Sequence, residues 1–159
     1  MPTVAAGLVG RLPGMLGKAR EAGIEPVIID TPPHSDKTAV GAIAATDLVV
    51  VPTRPAIFDL RSIGDTIDLV RLARKEKQAL ILFNAVPSPG GILAEAEAFA
   101  KSYGVDIAPV RVTDRAALSH ALIGGHGITE FEPKGKAAGE IRALCASLAA
   151  RLELPLRRK

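Results

Sequence analysis

Apolar residues in this chain come in short unbroken runs, separated by segments with helical spacing. Four runs, at 26–30 (PVIID), 48–52 (LVVVP), 79–86 (ALILFNAV) and 105–110 (VDIAPV), are mostly continuous rather than alternating. Continuous runs suit strands covered on both faces, and parallel strands are the predicted arrangement. Between them, Ile63, Ile67 and Val70 follow an Asp59 placed to cap a helix, and 92–103 is rich in Ala and Glu and closes at Gly104. Pro13 at an early helical position and Gly23 past the end bracket a first helix, and a last one runs from Lys136 to Arg151. This alternation predicts an α/β fold, a mostly parallel sheet flanked by helices. Pro155 ends regular structure and leaves 153–159 as a basic tail.

Composition narrows the picture. With 159 residues and 48% hydrophobic content, the chain can bury one substantial core and is expected to form a single domain over 1–159. One cysteine, Cys145, cannot form an internal disulfide, and no secretory signal or membrane-spanning apolar run is visible, so a cytoplasmic location is expected. A net charge of +3 is compatible with nucleic acid but does not by itself point to it.

In a sheet of this kind, working residues stand just beyond the carboxyl ends of the strands, here Asp30, Thr53, Asn84 and Arg111. Asp30 has two readings. It caps the next turn, or it holds Mg²⁺, directly or through water, beside the phosphates of a nucleotide. Pro32 and Pro33 fix the path out of that strand and remove two N–H donors. Other candidates carry less. His34, His120 and His126 have no acidic or cysteine partner at metal-ligand spacing. Ser119 and His120 are adjacent and diverge on a helix, and PSPGG at 87–91 lacks the lysine of a phosphate loop and reads as a turn.

Taken together, VIIDTPP (27–33), ATDLVVVPTRP (45–55), LILFNAV (80–86) and GITEFEPKGKAAGEIRAL (127–144) resemble, in order, the Walker B half and C-terminal half of the ParA-type partition ATPases, relatives of MinD. The likeness covers the chain from about Arg11 to Leu152. It implies a P-loop NTPase-like three-layer sandwich that dimerises around ATP and Mg²⁺ and binds duplex DNA without sequence preference. Further implied roles are plasmid or chromosome segregation with a ParB-like centromere-binding partner, and association with the nucleoid. By the same resemblance Asp30 is the catalytic-site aspartate that orients the magnesium shell through water. Asn84 reads the adenine edge, with Thr31 and Pro32 beside the nucleotide.

The departure is as informative. Members of that family begin with a strand and a K-G-G-x-G-K-[ST] loop whose N–H groups and lysines cradle phosphates. No such loop stands in these residues: Gly17-Lys18 and Gly135-Lys136 are each followed by Ala. The expectation is a domain lacking the N-terminal P-loop strand, which does not hydrolyse ATP unaided and acts as a homodimer or with a complementing chain. A non-catalytic DNA- or partner-binding module of the same descent is the second reading. Candidate phosphate contacts are Arg111 and Arg115 near one helix start, and Lys134, Lys136 and Arg142 near the last helix. Aromatic content of 3% disfavours stacking on single strands, and Pro155 interrupts the C-terminal segment that an amphipathic membrane helix would need.

Overall fold

A computed structural model describes residues 4–31, 37–88 and 91–154. The valine-rich and leucine-rich runs form strands β1 (Val49–Thr53) and β2 (Ala79–Phe83), joined by β3 (Asp106–Ile107). The three strands are parallel in the order β1-β2-β3, with Val49 opposite Ala79 and Leu80 opposite Asp106. All five residues of β2 are buried, as a central strand covered on both faces requires.

Helices cover both faces. Toward one side, α2 (Lys37–Ala44), α3 (Ile57–Leu72) and α4 (Leu93–Lys101) contribute Ile43, Leu60, Ile63, Ile67, Val70, Leu93 and Ala96 to a cluster with Val51, Ile81 and Phe83. Residues 60, 63, 67 and 70 recur at the spacing of one helical face, which is why α3 buries this stripe and no other. Toward the other side, Leu82 and Val50 pack with Val112 and with Leu144 and Ile141 of α7 (Lys136–Arg151). Helices α5 (Ala116–Ile123) and α6 (Ile128–Phe131) close onto the start of α7 through Ala121, Ile128, Ala137 and Ala138.

Helix α1 (Leu12–Glu21) has no buried residue. The turn before it leans on α2 at Gly41, where an added Cβ would lie 2.6 Å from Val9 Cγ1, so this contact needs glycine. Helix α4 gives way to a turn that reaches Gly104 at φ +71°, a conformation L residues rarely adopt.

Three sequence expectations are corrected. The run 26–30 is not a strand: 24–31 pairs with nothing in the sheet, and Val27 and Ile28 are 46% and 89% exposed. Strand propensity without a neighbouring ladder makes no strand, and β1 is laddered only to β2. The backbone N–H of Asn84 donates to Thr53 O at 2.8 Å, so Val49, Val51 and Thr53 turn their backbone groups to β2. Leu48, Val50 and Pro52 therefore turn theirs to the open edge, where a proline's missing N–H is tolerated. The runs 79–86 and 105–110 are strands only over Ala79–Phe83 and Asp106–Ile107, for backbone reasons given below. Finally, Ala56 rather than Asp59 precedes α3, and Asp59 sits in its first turn, paired with Arg54 at 3.0 Å.

Helix α7 occupies the predicted span, and Pro13 and Gly23 bracket α1 as expected. The basic tail beyond 154 lies outside the described residues.

Candidate functional site

The carboxyl ends of the strands are shaped by two backbone irregularities. Directly after Asn84, Ala85 adopts φ +49°. A left-handed alanine costs about 1 kcal/mol or more, and it turns the chain sharply out of β2. The chain then re-pairs: Val86 N donates to Val112 O at 3.0 Å and Asp114 N to Val86 O at 2.9 Å, forming a parallel bridge between Val86 and Thr113.

The second irregularity faces it. Ile81 O accepts from Ala108 N, and Phe83 O accepts from Val112 N. Two steps along β2 are therefore matched by four steps opposite, and the stretch Pro109 to Arg111, two residues longer than a regular ladder needs, bulges out. Pro109, Val110 and Arg111 form one wall of an open cleft of about 440 Å³, completed by Ser88, Glu97, Thr113, Arg115 and Glu140.

One carboxylate fixes this cleft. Glu140 of α7 accepts from Thr113 N and Thr113 Oγ1, both at 2.9 Å, and from Arg115 Nη2 at 2.8 Å. Burial pushes its carboxyl up, but the hydrogen bonds from Arg115 and Thr113 and the guanidinium charge outweigh that and hold it below the ordinary value. Arg115 Nε is buried and makes no hydrogen bond among the described residues. The result ties the bulged segment to the last helix.

The expected site residues fall in different places. Asn84 is exposed at the end of β2, with its backbone N–H bound to Thr53 O and its side-chain amide making no hydrogen bond among the described residues. Arg111 is exposed on the bulge. Asp30 and Thr31 are exposed on the segment that stands off the sheet, without a hydrogen bond or ion pair among the described residues, and Pro32, Pro33 and His34 lie outside those residues. The strand end that would hold Asp30 is thus not built here.

Among the cations, Arg115 is engaged by Glu140, with 30% and 23% of the two side chains exposed, so it is not a free phosphate-facing charge. Lys134, Lys136 and Arg142 gather at the start of α7, where Arg142 Nη2 donates to Pro133 O beside Lys134. All three are exposed.

Fit to a metal is poor. Among the described residues no three His, Cys, Asp or Glu side chains converge, so these residues form no metal cage, and Mg²⁺ would need oxygens from a nucleotide. Fit to a nucleotide is one-sided: Asn84 at the carboxyl end of the central strand has an amide without a partner among the described residues, but the sequence holds no phosphate loop. No helix among the described residues is long and apolar enough to cross a membrane.

Sequence reasoning missed Glu140, Thr113 and Ala85. Glu140 had a signal: it lies on the apolar stripe of α7, three residues after Ala137 and four before Leu144, where an acid requires a partner.

No family model matches the chain. It is 29% identical over 133 residues to Maintenance of carboxysome distribution protein A from Gloeobacter kilaueensis, covering 82% of this chain and 61% of that protein. The protein of the same description from Halothiobacillus neapolitanus is 22% identical over 118 residues, covering 72% and 55%. The chain thus spans about three fifths of the length of the curated relatives it matches. In structure it resembles the cell division ATPase MinD of Pyrococcus furiosus, with a TM-score of 0.70 at 17% identity over 89% of this chain and 58% of that one.

Proposed function

From the chain's kinship with the ParA/MinD-like ATPases, which sequence and fold both support, we propose that these residues form the part of such an ATPase that meets the adenine base and duplex DNA. Their task is to position a cargo in the cell, a plasmid or chromosome with a ParB-like partner, working as a homodimer or with a complementing chain. ATP and Mg²⁺ are the ligands, and hydrolysis needs a phosphate cradle that these residues lack.

One observation carries the reading. Asn84 stands at the carboxyl end of β2, and Glu140 ties Thr113 and Arg115, which directly follow the bulge at Pro109 to Arg111, to the helix that bears Lys136 and Arg142. A base-facing strand end and a cationic helix start are thereby joined through one carboxylate. The position of Asp30 off the sheet favours a second reading, a DNA- or partner-binding module without catalysis. Restoring a phosphate loop separates them. Turnover that appears with the loop and disappears with Asp30→Ala supports the ATPase reading, and no turnover supports the module.

Two outcomes are expected of the chain as it is. Calorimetry should give an Mg-ATP affinity no tighter than about 1 mM, some 4 kcal/mol, because only the base end of the ligand is held. Micromolar binding would contradict this. For DNA, replacing Lys134, Lys136 and Arg142 with Ala together should weaken all duplex sequences alike. It should also flatten the logarithmic salt slope by about 2–3, as loss of three phosphate contacts requires. Arg111→Ala should remove about one contact. Arg115→Ala should leave the slope unchanged while lowering stability, since its charge already serves Glu140. A sequence-selective loss measured by anisotropy would rule out a backbone-only mode.

A further inference from the structure

The open cleft beside the bulge has no part in the nucleotide reading. Neither Asn84 nor any residue of β1 lines it, and its walls come from residues 83–140 alone. Four ionisable side chains line it, Glu97, Arg111, Arg115 and Glu140, so the walls carry no net charge. Arg115 and Glu140 neutralise each other at 2.8 Å. Glu97 and Arg111 are left over, neither with a hydrogen bond or ion pair among the described residues. Lys101 stands one turn on from Glu97 along α4, the ordinary place for a helical partner, yet the two form no ion pair. Glu97 is instead half-buried in the wall of the cleft.

The sheet adds a donor. Asn84 N donates to Thr53 O on β1, so Ile81 and Phe83 turn their backbone groups the other way, toward β3. Ile81 O and Phe83 O are taken by Ala108 N and Val112 N. Between those two bonds the bulge breaks the ladder, and Phe83 N makes no hydrogen bond among the described residues although the residue is 2% exposed. A buried N–H without an acceptor is rare, and a ligand oxygen is one way to supply it.

We propose that this cleft binds a small zwitterion, an aliphatic α-amino acid or a short peptide with free termini, its ammonium on Glu97 and its carboxylate on Arg111 and the Phe83 N–H. The charge pattern selects the class. An anion alone leaves Glu97 uncompensated, a cation alone leaves Arg111 so, and a ligand with one charge of each sign satisfies both. Phe83, Pro109 and Val110 give the aliphatic part an apolar wall, and about 440 Å³ is a volume usual for small-molecule sites.

The test is a titration of the isotope-labelled full chain with L-leucine and with leucyl-leucine, followed by NMR at the Phe83 and Ser88 amides. At least one of the two probes should shift both amides saturably, with a Kd of about 1 mM or tighter. For the leucine scaffold, N-acetyl-leucine lacks the ammonium and leucinamide the carboxylate, and the same two changes are made to the dipeptide; each should bind at least tenfold more weakly. These analogues remove one charge at a time without altering the protein. In the protein, Glu97→Gln and Arg111→Gln should each cost at least tenfold, and Glu97→Gln should bind the zwitterion and its N-acetyl form alike. Absence of saturable shifts with both probes overturns the proposal. So does equal binding of the N-acetyl form to the wild type, which would mark a site for anions alone, and so does zwitterion binding that survives Glu97→Gln unchanged.

Discussion

Glu140→Ala should lower stability by about 3 kcal/mol, because it strips three hydrogen bonds at once and leaves the Arg115 guanidinium, 30% exposed, beside a void with no counter-charge. In a chain of this length that corresponds to a fall in Tm of roughly 6–12 °C. Glu140→Gln should cost less, since an amide oxygen still accepts from Thr113 N. The pH dependence follows from the direction of the shift. The Glu140 carboxyl is held below its ordinary value of 4.5, so its contribution is fully present above that pH and is lost as pH falls through the lower folded value. Denaturant unfolding at pH 7 should therefore separate wild type from Glu140→Gln, and the two curves should draw together as pH falls below 4.5 and through the lowered folded value. A gap that persists unchanged at low pH would show that charge is not what holds the clamp.

The other large effect is expected at Ile67. Its side chain is 0% exposed and lies in the cluster where α3 meets Val51, Ile81 and Phe83. Ile67→Ala removes three carbons from a close-packed site that can relax only in part, so a loss of about 3–4 kcal/mol is expected. Ile67→Val should cost about 1 kcal/mol. Urea midpoints at constant m-value provide the comparison, and a loss for Ile67→Ala below about 1 kcal/mol would mean that this side of the core is loosely filled.

The sequence was most readable where one helix face settles the matter. The span of α7 and the stripe of α3 follow from apolar spacing and end signals that lie within the element itself. It was least readable where structure depends on a neighbour. The run at 26–30 has as strong a strand composition as β1, yet β1 has β2 beside it and 26–30 has no strand beside it among the described residues. At the candidate site, the rule that strand ends carry function placed Asn84 and Arg111 at the carboxyl end of the sheet, where they stand. It could not foresee that Ala85 would turn left-handed, since nothing about alanine favours that. Arg115 looked like a free cation because its partner lies 25 residues away on another helix.

The two anchors of α7 make that helix a ruler. Near its start Glu140 grips the carboxyl ends of the strands, and at its end Arg151 donates to Lys77 O and to Asp106 Oδ2, at their amino ends. Eleven helical steps at about 1.5 Å span about 16 Å, close to the roughly 13 Å of the four steps along a five-residue strand at about 3.3 Å. The helix is thus cut to the sheet, antiparallel to it and pinned at both margins. One residue inserted between the anchors would rotate one against the other by about 100° and lift it off the sheet, so the spacing between positions 140 and 151 is as much a constraint on this protein as the identity of either residue.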